Sequence, residues 1–186
     1  VSDQVDRWDR LFADLEAEAL GQQRGELQAE VSDRTRREVG SLKLADRTRS
    51  AIGCTVALEL TGCPALAGMV REAGPDWLLL ADPAGAVVIP LAAVTAIEGL
   101  TRSIAPPADR VAARSDLRHV LRGLSRDRRA LVLGTADGRE RTGTIDRVGA
   151  DFIDLALHPV GEARRASVVI GVLTIPLSAL ARIRMS

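Results

Sequence analysis

The feature that most constrains this chain is that part of it is written twice. Val56-Ala57-Leu58-Glu59-Leu60, followed by Thr61-Gly62-Cys63, is matched by Leu131-Val132-Leu133-Gly134-Thr135, followed by Ala136-Asp137-Gly138. Without a gap, Gly68-Met69-Val70-Arg71 matches Gly143-Thr144-Ile145-Asp146. Asp76-Trp77-Leu78-Leu79-Leu80 then matches Asp151-Phe152-Ile153-Asp154-Leu155. The spacing between copies lengthens once, around His158 to Ser167. The strongest match follows: Val88-Ile89-Pro90-Leu91-Ala92-Ala93-Val94-Thr95-Ala96-Ile97 against Thr174-Ile175-Pro176-Leu177-Ser178-Ala179-Leu180-Ala181-Arg182-Ile183.

Short alternating apolar runs ended by Gly, Pro or Asp predict strands and turns. The Pro after Ile89 and after Ile175 lacks an N–H and ends a ladder. The next stretch, Leu-Ala-Ala-Val or Leu-Ser-Ala-Leu, is too short for an α-helix and fits a single 3₁₀ turn. Each unit therefore reads as five short strands with a 3₁₀ turn before the last. One apolar face per strand would be buried as the sheet curls, and curling would remove its edges. A unit of about 50 residues is marginal alone. Packing against the other unit or against helices is expected.

The segments Val56 to Ile97 and Leu131 to Ile183 resemble Sm-like or SH3-like barrels and, more distantly, the PRC-barrel group. The resemblance implies a mainly β protein: two tandem five-stranded barrels with N-terminal and linker helices. Such bent sheets are often used for RNA binding, protein docking or ring assembly. Sm-like proteins that bind RNA usually carry an Asn between the second and third strands and a basic-Gly pair near the fourth and fifth. Here those places read Glu72-Ala73-Gly74-Pro75-Asp76 and Arg147-Val148-Gly149-Ala150-Asp151, then Ile89-Pro90-Leu91 and Ile175-Pro176-Leu177.

The expected organisation is a helical region over 1–50, a first barrel over 51–100, a Pro-containing linker with a basic helix over 101–127, and a second barrel over 128–186 with an inserted loop near 156–167. Over residues 3–19, Val5, Trp8, Leu11, Phe12, Leu15 and Ala19 recur at helical spacing. Trp8, Phe12 and Leu15 would dock onto the protein's own barrels or form a partner surface. Pro106-Pro107 breaks structure, and residues 109–124 then predict a helix with Val111, Leu117, Val120, Leu121 and Leu124 on its apolar side. Its Arg114, Arg118 and Arg122, with Arg164 and Arg165 of the insertion, are the candidate contacts to an anion or nucleic acid. Their plainer role is a solvated face carrying ion pairs.

The formal net charge is zero, which argues against a strongly basic nucleic-acid binder. Cys54 and Cys63 make no disulfide framework and read as structural thiols, one buried and one near a turn. His119 and His158 lack metal-ligand spacing, and His119 with Asp116 reads as a surface pairing. Asp151 and Asp154 fall on opposite strand faces, so they are no acid/base pair. No nucleophile-elbow or phosphate-loop pattern occurs. No catalytic, cofactor or metal residue is predicted. The leading expectation is a non-enzymatic interaction or scaffold module with a protein partner or self-association. The alternative is an Sm-like nucleic-acid binder, and a small-molecule site between the barrels is a third reading. With no leader and no apolar run of about 18 residues, no transmembrane segment and a cytoplasmic location are expected.

Overall fold

A computed structural model describes Arg34, Arg36, Arg37, residues 39–101, residues 115–159, Arg165 and residues 168–185. The chain divides into two units, 1–42 and 43–186. In the first, Arg34, Arg36, Arg37, Val39 and Gly40 are helical, and Val39 is exposed. Trp8, Phe12 and Leu15, with the helix expected around them, lie outside the described residues.

The second unit is mainly β, with ten antiparallel strands and two α-helices among its described residues. Helix α1 (Leu44–Ser50) precedes β1 (Thr55–Leu60), β2 (Cys63–Ala73), β3 (Trp77–Asp82), β4 (Gly85–Pro90) and β5 (Val94–Glu98). Helix α2 (Leu117–Arg126) precedes β6 (Leu131–Thr135), β7 (Glu140–Val148), β8 (Phe152–Leu157), β9 (Gly171–Pro176) and β10 (Leu180–Met185). Single 3₁₀ turns, Leu91–Ala93 and Leu177–Ala179, precede β5 and β10. Both follow a Pro that closes the preceding strand.

The strand order is β5-β1-β2-β3-β4-β10-β6-β7-β8-β9. This is one open sheet, not the pair of edge-free curled sheets that the sequence predicts. The reason is the junction: β4 spends its outer backbone groups on β10, with Val88 opposite Ile183 and Val87 opposite Arg184. Pairing between the halves takes the place of closure within either one.

Local chemistry recurs on both sides of the junction. Gly74 N–H donates to the Trp77 carbonyl and Gly149 N–H to the Phe152 carbonyl, each at 2.8 Å. Leu91 N–H donates to the Asp76 carbonyl at 2.8 Å and Leu177 N–H to the Asp151 carbonyl at 2.7 Å. In β2 the register with β3 shifts between Val70 and Glu72, and in β7 the register with β8 shifts between Ile145 and Arg147. Such an extra residue bends a strand and increases its twist.

Burial on β1 alternates: Val56, Leu58 and Leu60 are inside, while Thr55 and Glu59 are outside. The two strands nearest the junction depart from the expected single apolar face. Leu78, Leu80, Val87 and Ile89 enter one core with Val56, Leu58 and Val70. Trp77 and Val88 enter the other, with Leu131, Leu133, Ile145, Ile153, Leu155 and Ile183. A strand covered on both faces needs an uninterrupted apolar run, which Trp77-Leu78-Leu79-Leu80 and Val87-Val88-Ile89 supply.

Helix α2 starts at Leu117, later than the residue-109 start predicted from sequence; residues 102–114 lie outside the described ones. Asp116 is its N-cap, extended in backbone and accepting from His119 N–H at 2.9 Å. The expected Asp116–His119 pairing is thus made by the backbone of His119, not its ring. Leu117, Leu121 and Leu124 bury the opposite face in the second core. The start of α2 is also tied to β3: Leu117 N–H donates to Asp76 Oδ1 at 2.8 Å, and Trp77 Nε1–H to the Ser115 carbonyl at 2.7 Å.

One ion pair staples the junction. Arg184 on β10 makes a two-pronged contact with Asp82 at the end of β3, Nη1 to Oδ1 at 2.8 Å and Nη2 to Oδ2 at 2.6 Å. The Arg184 guanidinium holds the Asp82 carboxyl below the usual carboxylate range; partial burial opposes this, and the Ala84 N–H assists it. A carboxyl with a lowered folded-state pKa contributes fully above its unfolded value of about 3.9 and loses that contribution as pH falls through its folded value. Acid should therefore destabilise the native protein more steeply than Asp82→Asn below about pH 4. Urea midpoints at stepped pH check this, and parallel curves for the two proteins would contradict it.

Candidate interaction surface

Ten strands in an open sheet leave two edges. Among the described residues, no strand pairs with the outer side of β5 or of β9. An edge strand presents a row of backbone donors and acceptors on which another strand can form.

The two edges differ in character. β5 is short and polar at its end, with Thr95, Ala96 and Glu98 exposed. β9 continues an uncharged run from Val168 through Val169, Ile170, Gly171, Val172, Leu173 and Thr174 to Ile175. Ile170 is 78% exposed, the most of any large apolar side chain among the described residues, and Val172 is 61% exposed. Proteins ordinarily blunt an edge with a charge, a Pro or a bulge. On β9 only the terminal Pro176 does so.

The corresponding residues of β4 show what cover does. Val88 is buried in the second core and Pro90 is buried too, whereas Thr174 and Pro176, at the matching places in β9, are exposed. Sequence reasoning missed β9 as a surface. The signal was there: an uncharged, β-branched run directly after the insertion's Arg164-Arg165.

Arg114 and Arg164 lie outside the described residues. Arg118 and Arg122 are exposed on α2. Arg118 Nη2 lies 2.7 Å from Asp116 Oδ2. Burial opposes ionisation of Asp116, but Arg118 and the His119 N–H outweigh it and lower its pKa. Arg165 is exposed in the β8–β9 connection, where its carbonyl accepts from Val168 N–H at 2.9 Å and Val169 N–H at 3.2 Å. Other arginines also stand beside carboxylates: Arg128 with Asp146, Arg139 with Asp137, and Arg182 with Glu140.

A groove of about 440 Å³ opens beside the start of α2, lined in part by Asp76, Pro90, Asp116, Asp151 and Pro176. Two of its carboxylates already serve the fold, Asp76 and Asp116 both accepting backbone N–H groups of α2. Cys54 and Cys63 are free and half-buried, so neither is the buried thiol expected from sequence. Burial raises the Cys63 thiol pKa against the pull of Arg182, which disfavours the nucleophilic thiolate. His158 is buried, with Nε2 2.9 Å from Thr144 Oγ1 of β7 and Nδ1 3.0 Å from the carbonyl of its own neighbour Pro159, so one ring nitrogen ties the end of β8 to β7 and the other is used locally. Among the described residues no group of three or more His, Cys, Asp or Glu could hold a metal ion, and no helix is long and apolar enough to cross a membrane.

Comparison with protein-family models, with curated proteins and with solved structures finds no match to this chain.

Proposed function

We propose that this protein is a non-enzymatic interaction or scaffold module whose halves are two copies of one small Sm-like or SH3-like unit, and that it takes its partner by strand addition at β9. The observation that carries this reading is the uncharged edge of β9, with Val172 exposed on it and Ile170 exposed immediately before it. Strand addition gains affinity from backbone hydrogen bonds and specificity from alternate side chains. The folded unit supports it by holding the edge rigid: Ile175 is buried in the second core, and β9 is in register with β8 along its whole length.

The test is capture from native extract with Val172→Lys as the paired control. Val172 is exposed, so the substitution should leave the fold intact, while a Lys on the edge resists burial in a new ladder. Nuclease-resistant companions that bind the native chain and are lost from Val172→Lys are the expected result. The alternative, a nucleic-acid binder, rests on the exposed Arg118 and Arg122 of α2. Nucleic acid in the eluate, lost when both are replaced by Ala but retained by Val172→Lys, would put that reading first.

A further inference from the structure

We propose that the segment added at β9 is an acidic one: an extended, largely aliphatic stretch of a partner protein whose Asp or Glu side chain sits against Arg141. This rests on the reading of β9 as a docking edge and names the chemistry of its partner. A groove of about 270 Å³ lies beside the end of β9, lined in part by Thr135, Asp137, Arg141, Leu173 and Ile175. Unpaired backbone groups and a side-chain pocket along them are the two parts that strand addition uses.

The two halves differ at this place. Thr135, Asp137 and Arg141 stand where the first half has Leu60, Gly62 and Leu66. Leu60 is buried in the first core and Leu66 packs against that core, while the edge of β4 is already taken by β10. Polar groups replace the leucines only where the edge is open. Asp137 is spent on its own turn: Oδ1 accepts from the Thr135 hydroxyl and from Arg139 N–H, and Oδ2 lies 3.6 Å from Arg139 Nε. Arg139 thereby balances the charge of Asp137. Arg141 donates through Nη1 to the Glu140 carbonyl at 3.1 Å and forms no ion pair among the described residues. The groove therefore holds one unbalanced cation, half-buried beside Leu173 and Ile175. A guanidinium can grip a carboxylate there through two parallel hydrogen bonds. One cation suits one side-chain carboxylate. A run of phosphates would also meet Asp137 in the groove and Asp154 beside Thr174. In a strand paired with β9, residues two apart face the same way. The acid and an aliphatic residue two places from it would enter the groove, and the residue between them would lie beside exposed Val172.

Selection from a displayed library of random eight-residue peptides on the full chain tests this. The native protein should enrich aliphatic peptides with Asp or Glu at one place and an aliphatic residue two places away. On Arg141→Glu the enriched acid should give way to Lys or Arg, and Val172→Lys should enrich nothing. Arg141→Gln keeps a donor for the Glu140 carbonyl, so it should leave circular dichroism unchanged while binding the selected peptide about tenfold more weakly. Enriched peptides with no acid, an acid preference that survives on Arg141→Glu, or undiminished affinity in Arg141→Gln would overturn the proposal and leave strand docking at β9 standing. A native chain that enriches no peptide would remove both. A labelled single-stranded oligonucleotide is titrated alongside. Saturable binding lost from Arg141→Gln and kept by Val172→Lys would give the cation to phosphate and overturn the proposal.

Discussion

Replacing Trp77 by Ala is expected to remove about 3–5 kcal/mol of stability, and to do so from the whole of residues 43–186 in one transition. Trp77 is encoded in the first half of the sheet, at the start of β3. Its ring nevertheless lies in the second core with Leu117, Leu121 and Ile153, only 3% exposed. Its Nε1–H holds the Ser115 carbonyl at 2.7 Å, just before α2 begins. Truncation leaves a cavity between the sheet and α2 and frees that carbonyl of its partner. Because the lost contacts span both halves, neither half should unfold first. Trp77→Phe keeps most of the packing but not the hydrogen bond, and should lose about 1–2 kcal/mol. Urea unfolding followed by circular dichroism, with hydrogen exchange read separately in each half, measures both effects. Two separated transitions in the native protein would contradict the shared core.

The second large effect is expected at Gly143. A Cβ there would lie 2.2 Å from the Ala156 carbonyl oxygen and 2.9 Å from its carbon. Those atoms are backbone in the ladder between β7 and β8, where Thr144 stands opposite Ala156, so they cannot swing aside as a side-chain tip would. Gly143→Val should therefore cost about 3 kcal/mol or more through forced displacement of the ladder. Gly68 occupies the matching place, its Cβ position 2.5 Å from the Ala81 oxygen, and should respond in the same direction. Gly171, at the start of β9, has nothing within 4 Å of such a Cβ, and Gly171→Ala should stay within about 0.5 kcal/mol of native. Thermal unfolding of the three variants side by side checks this ordering; equal losses at Gly143 and Gly171 would refute it.

Much of the sheet was legible because its rules are local. The twofold alternation in Val56-Ala57-Leu58-Glu59-Leu60, the turns at Gly62 and Gly138, and the Pro ending β4 and β9 act through neighbours along the chain. So does the 3₁₀ turn after each Pro. The start of α2 was misjudged although Asp116 carries the cap signal. A run of apolar positions reaching back to Val111 suggested a longer helix, and periodicity does not show where the backbone leaves helical geometry. The candidate site was less legible. The arginines drew attention by their number, yet a count of charges is silent on the carboxylate standing beside Arg118.

By itself, then, the sequence determined which residues form strands, where they turn and which positions face inward along most of them. These depend on side-chain period, on missing N–H groups and on glycine. Tertiary structure alone decided which strands become neighbours. The pairing of β4 with β10 joins residues far apart in the chain, Asp82 to Arg184 among them. It also determined which edges remain, covering Val88 while leaving Thr174 bare. Backbone hydrogen bonds are the same for every strand, so no local signal distinguishes a covered edge from an open one. That choice follows from the packing of both cores at once.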